Sequence, residues 1–223
     1  MNIWDLITNK EYQAACELAD EEYKNGKRIS SLRSKVTALM LMRRYEDIIE
    51  TENVIISQTK GSIDSDFIFY GLALWALGKP IEAIAKWKEG EKCTYTDVAG
   101  GLELLVILYF ALIKIQDKKE SERYFKKIQK IVSKSKALTS WPYPIGSFLL
   151  GYIQFEQLVT LTSNDPMLKQ RQLSQAYFVK SIKKLEESNF IDYSKIVNFS
   201  VEEFQLYGIV EQMYFIMKVE SEL

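Results

Sequence analysis

The 223-residue sequence contains no histidine. That removes the usual neutral-pH general base, the Ser-His and Cys-His nucleophile pairs and the commonest zinc ligand. Carboxylate, lysine or tyrosine chemistry stays open, but no nucleophile–base pair, phosphate-binding glycine loop or metal motif accompanies it. Cysteine is almost absent. Cys16 and Cys93 stand 77 apart, outside any CxxC pair, and read as two reduced, buried thiols of a cytosolic protein. The start, MNIWDLITNKEYQAAC, has neither a basic opening nor an apolar core segment, so no signal peptide is expected. The longest apolar run, Leu104 to Ile113, has ten residues and is too short for a bilayer span. Charge of one sign is missing as well: the formal net charge is -1, which gives no global pull toward nucleic acid or membrane. Four prolines and ten glycines leave room for long helices.

What is present is apolar periodicity of the helical kind. GLALWALGKPIEAIAKWKEG, Gly71 to Gly90, is too apolar for a solvated helix and too broken for a single long one. Apolar residues recur at helical spacing to Leu77, and Gly78 then follows as glycine does at a helix end. Pro80 comes two residues later, where its fixed φ and missing donor suit the start of a new helix. The spacing predicts a helix, a tight turn and an antiparallel helix. Gly71 and Ala83 carry almost no side chain and would let the backbones approach, with Leu74 and Trp87 filling the flanks.

The pattern recurs. Tyr12, Tyr45 and Pro80 open successive second helices, 33 and 35 residues apart, and Lys118 takes the same place 38 residues further on. Ile48 and Glu52 depart from the pattern, Glu52 standing where an aromatic residue is expected. The fourth hairpin carries Phe125 in that aromatic position. Trp141-Pro142-Tyr143-Pro144 predicts an irregular corner, because residues before proline avoid the helical region, and a helix is expected to restart at about Ile145. Later, Ser188-Asn189 marks a turn, and a closing helix over about 201–220 would carry Phe204, Tyr207, Met213 and Phe215.

On Phe67, Tyr70-Gly71, Leu74, Leu77-Gly78, Ala83, Trp87 and Gly90, the chain resembles a tetratricopeptide repeat, with Pro80 in place of the usual tyrosine. The Trp-Pro-x-Pro stretch, followed by Ala176, Tyr177 and Phe178, looks like one found late in some bacterial tetratricopeptide-repeat proteins, among them outer-membrane-associated lipoproteins. The N-terminal lipidation cysteine of those lipoproteins has no counterpart here, so membrane anchorage is not carried over. The resemblance implies an all-α, right-handed superhelix of about five helical hairpins with a C-terminal capping helix. It forms a single domain over 1–223, with repeats at about 1–28, 29–61, 62–95, 98–136 and 145–199 and the cap at 201–220.

Such solenoids hold protein segments on a concave face lined by first helices, without a cofactor or metal. Residues expected there are Arg33, Lys35, Asp64, Asp66, Tyr70, Trp75, Asp97, Glu103 and Gln154. For Asp64, Asp66 and Asp97, capping and dipole complementation is the plainer reading, and for Tyr70 and Trp75 it is the core. Glu103, inside an apolar helix, must face either the groove or solvent.

Lys114 to Lys136 holds nine Lys/Arg against three Asp/Glu. Its cations lie off the apolar stripe marked by Phe125 and Ile128, so a solvated outer face is favoured over an acidic-partner or nucleic-acid patch. Residues 1–110 carry 13 basic and 17 acidic side chains, and residues 111–223 carry 16 and 13. The resemblance to small bacterial tetratricopeptide-repeat proteins implies a non-enzymatic, cytoplasmic immunity protein that neutralises a toxin by direct binding, with neither nucleic acid nor membrane as partner. A tetratricopeptide adaptor or chaperone that docks a peptide segment is the alternative. Oligomeric state stays open.

Overall fold

The computed structural model describes residues 2–135, 138–204 and 211–222. Thirteen α-helices occur among them, and the only β-pairing there is an isolated parallel bridge between Ile63 and Tyr95. The chain divides into two compact units, Met1–Tyr95 and Thr96–Leu223.

The first unit holds α1 (Ile3–Thr8), α2 (Tyr12–Gly26), α3 (Ile29–Leu41), α4 (Tyr45–Thr59), α5 (Asp64–Ala76) and α6 (Pro80–Gly90). Second helices start at Tyr12, Tyr45 and Pro80, as the periodicity predicts. Each helix pair packs on itself, each second helix packs on the next first helix, and α1, α3 and α5 also touch in sequence. The last residue of this unit is tied back to the start of α5. Tyr95 N–H donates to the Ser62 carbonyl at 2.9 Å, and Asp64 N–H donates to the Tyr95 carbonyl at 3.1 Å.

The α5/α6 closure is the tightest in this unit. The indole of Trp87 lies on Gly71, where an added Cβ would come within 2.3 Å of Nε1. Any side chain there would expel the ring. The indole N–H donates to the Ile68 carbonyl at 3.0 Å, so its one polar atom is satisfied in a site closed to water. Trp75 packs against Trp87 with ring centroids 5.8 Å apart, and Ala83 is wholly buried.

The second unit holds α7 (Leu102–Lys114), α8 (Lys118–Lys134), α9 (Tyr143–Leu149), α10 (Phe155–Thr160), α11 (Pro166–Glu186), α12 (Phe190–Glu203) and α13 (Gln212–Glu220). Helix α8 starts at Lys118 as expected. Two expectations need correction. The stretch assigned to one hairpin, 145–199, belongs to two: a short pair, α9/α10, and a long pair, α11/α12. The closing helix is not continuous over 201–220, since α12 ends at Glu203 and α13 starts at Gln212; Tyr207 lies outside the described residues. Because α9 is only two turns long, α7 reaches α11 directly as well as α9. Gly146 lets α9 lie close against α8, since a Cβ there would meet Val132 Cγ2 at 2.7 Å.

One turn is used six times among the described residues. In each, three successive N–H groups donate back to the last carbonyls of the first helix, and the middle residue is left-handed. Around Arg43, for example, the bonds run from Met42 to Ala38, Arg43 to Met40 and Arg44 to Leu39. The left-handed residues are Lys10, Arg43, Gly78, Gln116, Gly151 and Ser188. Their spacings are 33, 35, 38, 35 and 37 residues, so the short α9/α10 pair keeps the period even though its helices are cut down. Only two of the six are glycine; the others accept a conformation that costs a side chain about 1–2 kcal/mol.

Candidate functional site

In the first unit, the polar residues of the first helices are drawn into pairs. Arg33 on α3 donates through Nε and Nη2 to the two carboxylate oxygens of Asp66 on α5, at 2.8 and 2.9 Å. This is the bidentate geometry that fixes a guanidinium in one orientation. Asp66 is buried and Arg33 half-buried, so the pair bridges two neighbouring first helices at the edge of the core. Lys35 donates to both oxygens of Asp20 on α2 at 2.7 and 2.8 Å. Ser31 donates to Glu22 at 2.5 Å.

Glu52 lies behind the Arg33–Asp66 pair, on α4. It is 1% exposed, and its Oε2 has no hydrogen-bond partner. Burial pushes its carboxyl well above the ordinary range, the charge of Asp66 adds to this, and Arg33 opposes it. Burial also holds the Cys93 thiol up at about 11, with Asp64 and Asp66 adding to it. Burial raises Cys16 too. Neither thiol is thereby activated as a nucleophile.

Tyr70 is half-buried on α5, with the ammonium of Lys86 4.7 Å from its ring centroid. Trp75 belongs to the core, as its plainer reading holds. Asp64 is buried at the first position of α5.

In the second unit, Asp97 is a cap. Its Oδ1 accepts from the N–H groups of Ala99 and Gly101 at 2.8 and 2.9 Å, and its Oδ2 accepts from Glu103 N–H at 2.7 Å. These bonds order the loop and satisfy a donor in the first turn of α7. Glu103 turns to neither groove nor solvent. Its Oε1 accepts from Gln175 Nε2 at 2.8 Å, and its Oε2 lies 3.7 Å from Arg171 Nη2. The same Gln175 nitrogen donates to Glu211 Oε1 at 3.0 Å, while Gln175 Oε1 accepts from the Trp141 indole. Glu211 Oε2 caps α13 by accepting from Tyr214 N–H at 2.7 Å.

One amide thus holds two carboxylates and one indole, and joins α7, α11, the Trp141 corner and α13. Burial raises Glu211 to about 7 and the charge of Glu103 adds to that, against the pull of Arg171, the Tyr214 amide and Gln175. Burial raises Glu103 as well, helped by Asp97 and opposed by Arg171 and Gln175. Each carboxylate oxygen of the two acids faces a protein donor, so the cluster works as an interior fastening rather than as an open acid–base pair.

Gln154 is also misplaced by the sequence reading. It sits at the exposed start of α10, a second helix, where its backbone N–H donates to Gln157 Oε1 at 2.9 Å. The structure therefore brings Arg33 and Asp66 together across α3 and α5, leaves Lys35 and Tyr70 half-exposed on those helices, and takes Asp97 and Glu103 into internal roles. Gln175, Glu211, Arg171 and Trp141 were missed by sequence reasoning.

Among the described residues, no group of three or more acidic or sulfur side chains is arranged to hold a metal. No helix among them is long and apolar enough to cross a membrane. No protein-family model matches the chain, and no curated protein matches it.

Proposed function

We propose that the chain is a tetratricopeptide-like, right-handed superhelix that binds a protein partner without catalysis, and that this partner is a toxin which it blocks by covering it in the bacterial cytoplasm. The observation that carries this reading is the side-by-side packing of α1, α3 and α5, locked by the Arg33–Asp66 pair. Consecutive first helices then present one continuous, preformed surface. A surface already rigid loses little conformational entropy on binding, which is what a tight inhibitor needs. Tyr70 supplies an aromatic ring of the kind that anchors interfaces, and Lys35 a cation on the neighbouring first helix. The two free thiols suit a reducing compartment.

The test is rescue. The chain is co-expressed with the product of its neighbouring gene, growth is followed, and binding is titrated. Protection with nanomolar affinity is expected, and Lys35→Ala with Tyr70→Ala should weaken binding at least about 10-fold (roughly 1.4 kcal/mol) with an unchanged helical spectrum. Full affinity in that variant removes the first-helix face from the reading. Micromolar binding of short peptides instead of a folded partner supports an adaptor. Charge reversal at Asp97 and Glu103 would strip a cap and the buried fastening, so it reports on stability and not on the partner.

A further inference from the structure

The outward face of α8 gathers five cations in one row. Lys119, Arg123, Lys126, Lys130 and Lys134 fall within roughly an 80° arc at 100° per residue, opposite the buried stripe of Tyr124, Ile128 and Val132. Several lysines on other helix faces are paired with an acid one turn away: Lys86 with Glu89, Lys183 with Glu186 and Lys184 with Glu187. On α8, Arg123 has only a long contact to Glu120, at 3.5 Å. Lys119, Lys126, Lys130 and Lys134 are all exposed, and none has an ion-pair or hydrogen-bond partner among the described residues. Five cations therefore line about 22 Å of helix at roughly one per turn, a like-charge arrangement that costs the isolated helix stability.

We propose that this face is a docking surface for an acidic protein segment, one with Asp or Glu recurring at about the pitch of a helix turn. Complementary charge would relieve the repulsion along α8 and steer the encounter. Two other polyanions fit less well. Nucleic acid recognition by such a face would draw on exposed aromatic rings for stacking and on arginine forks, and the arc has one arginine and no ring. An anionic membrane would need large apolar side chains to insert beside the charges. None of the exposed large apolar residues belongs to α8. The surface lies on a second helix, so the inference stands apart from the first-helix reading above.

The probe is a fluorescent twelve-residue oligoglutamate, with duplex DNA and phosphatidylserine vesicles run at equal salt. The intact chain should bind the peptide, and the affinity should fall at least about 10-fold from 50 to 300 mM salt as screening shortens. Lys126→Glu with Lys130→Glu should weaken binding at least about 10-fold, a change on the order of 1.4 kcal/mol; Lys126→Gln with Lys130→Gln repeats the test without added charge. Lys183→Glu with Lys184→Glu, at lysines already paired, should leave binding intact. The proposal is overturned if the intact chain does not bind the peptide, if both α8 variants bind as well as the parent, or if the control loses as much. It is likewise overturned if DNA or vesicles bind more tightly than the peptide.

Discussion

Helices α4 and α6 start 35 residues apart, and at the eighth residue of each they carry opposite solutions to the same packing problem. In α6 the residue is Trp87, a large ring with one donor, set on a glycine and bonded to a carbonyl of α5. In α4 it is Glu52, equally buried, with one oxygen lacking any partner. Thirty-five residues before Gly71 stands Val36, a buried residue of α3 that has a side chain where α5 has none. A repeat can thus keep its backbone while one slot changes from apolar filling to a costly polar group. The cost identifies the α3/α4 hairpin as the strained member of the pair.

The comparison breaks most sharply at the tryptophan. Trp87→Ala should cost about 3–5 kcal/mol, as emptied aromatic sites do, read as a lower denaturant midpoint with an unchanged slope. Gly71→Ala should cost about 1–3 kcal/mol by overpacking. The double variant should lose less than the two singles together, because the added methyl then enters the space the ring has left. Additive losses would show that ring and glycine do not meet.

A second test sets the orphan acid of the first unit against the partnered acid of the second. Glu211 holds its proton more tightly in the fold than in the open chain, so its contribution is whole below the ordinary value of 4.5 and declines as pH rises toward about 7. The span is on the order of 3 kcal/mol at 1.36 kcal/mol per unit. Glu211→Gln should flatten stability over that window, and an unaltered pH profile would contradict the burial of the acid.

The companion test is at Glu52. Its raised carboxyl works in the same direction, with stability lost as pH climbs above 4.5 through the raised value. Glu52→Gln should match the parent in acid and exceed it at pH 8, measured by thermal melting at both ends. A variant less stable than the parent at pH 8 would mean that the charged form has a use in the fold.

Much of the architecture was legible because its signals are local. Tyr12, Tyr45, Pro80 and Lys118 each open a helix where the period placed them; the close approach was expected between Gly71 and Ala83 with Trp87 on the flank, whereas the Trp87 ring itself lies on Gly71. The Ser188-Asn189 turn was legible without glycine, from the resemblance of the run around it to a repeat. The α9/α10 pair was not, although Gly151 marks its turn. Seven and six residues hold too few apolar steps to establish a helical period.

At the candidate site, Glu52 was flagged as a break in pattern. Its burial was not, because that depends on α3 and α5 folding over it. Glu103 was recognised as costly within an apolar helix, but the group that satisfies it, Gln175, lies 72 residues away on α11. Partners separated by that much chain leave no trace in spacing.

The six repeated turns carry a consequence for how such a chain is assembled in time and in ancestry. Each turn closes with bonds spanning three to five residues, so its polar groups are settled before any distant segment arrives. Closing such short loops takes far less entropy than bringing remote strands together, which favours rapid folding that can begin at any hairpin and spread to its neighbours. The same self-sufficiency makes a hairpin a unit of duplication: copying or deleting one leaves every remaining turn with its bonds intact. The shortened α9/α10 pair, still on the period, is the kind of relic that lengthening and trimming by whole units would leave behind.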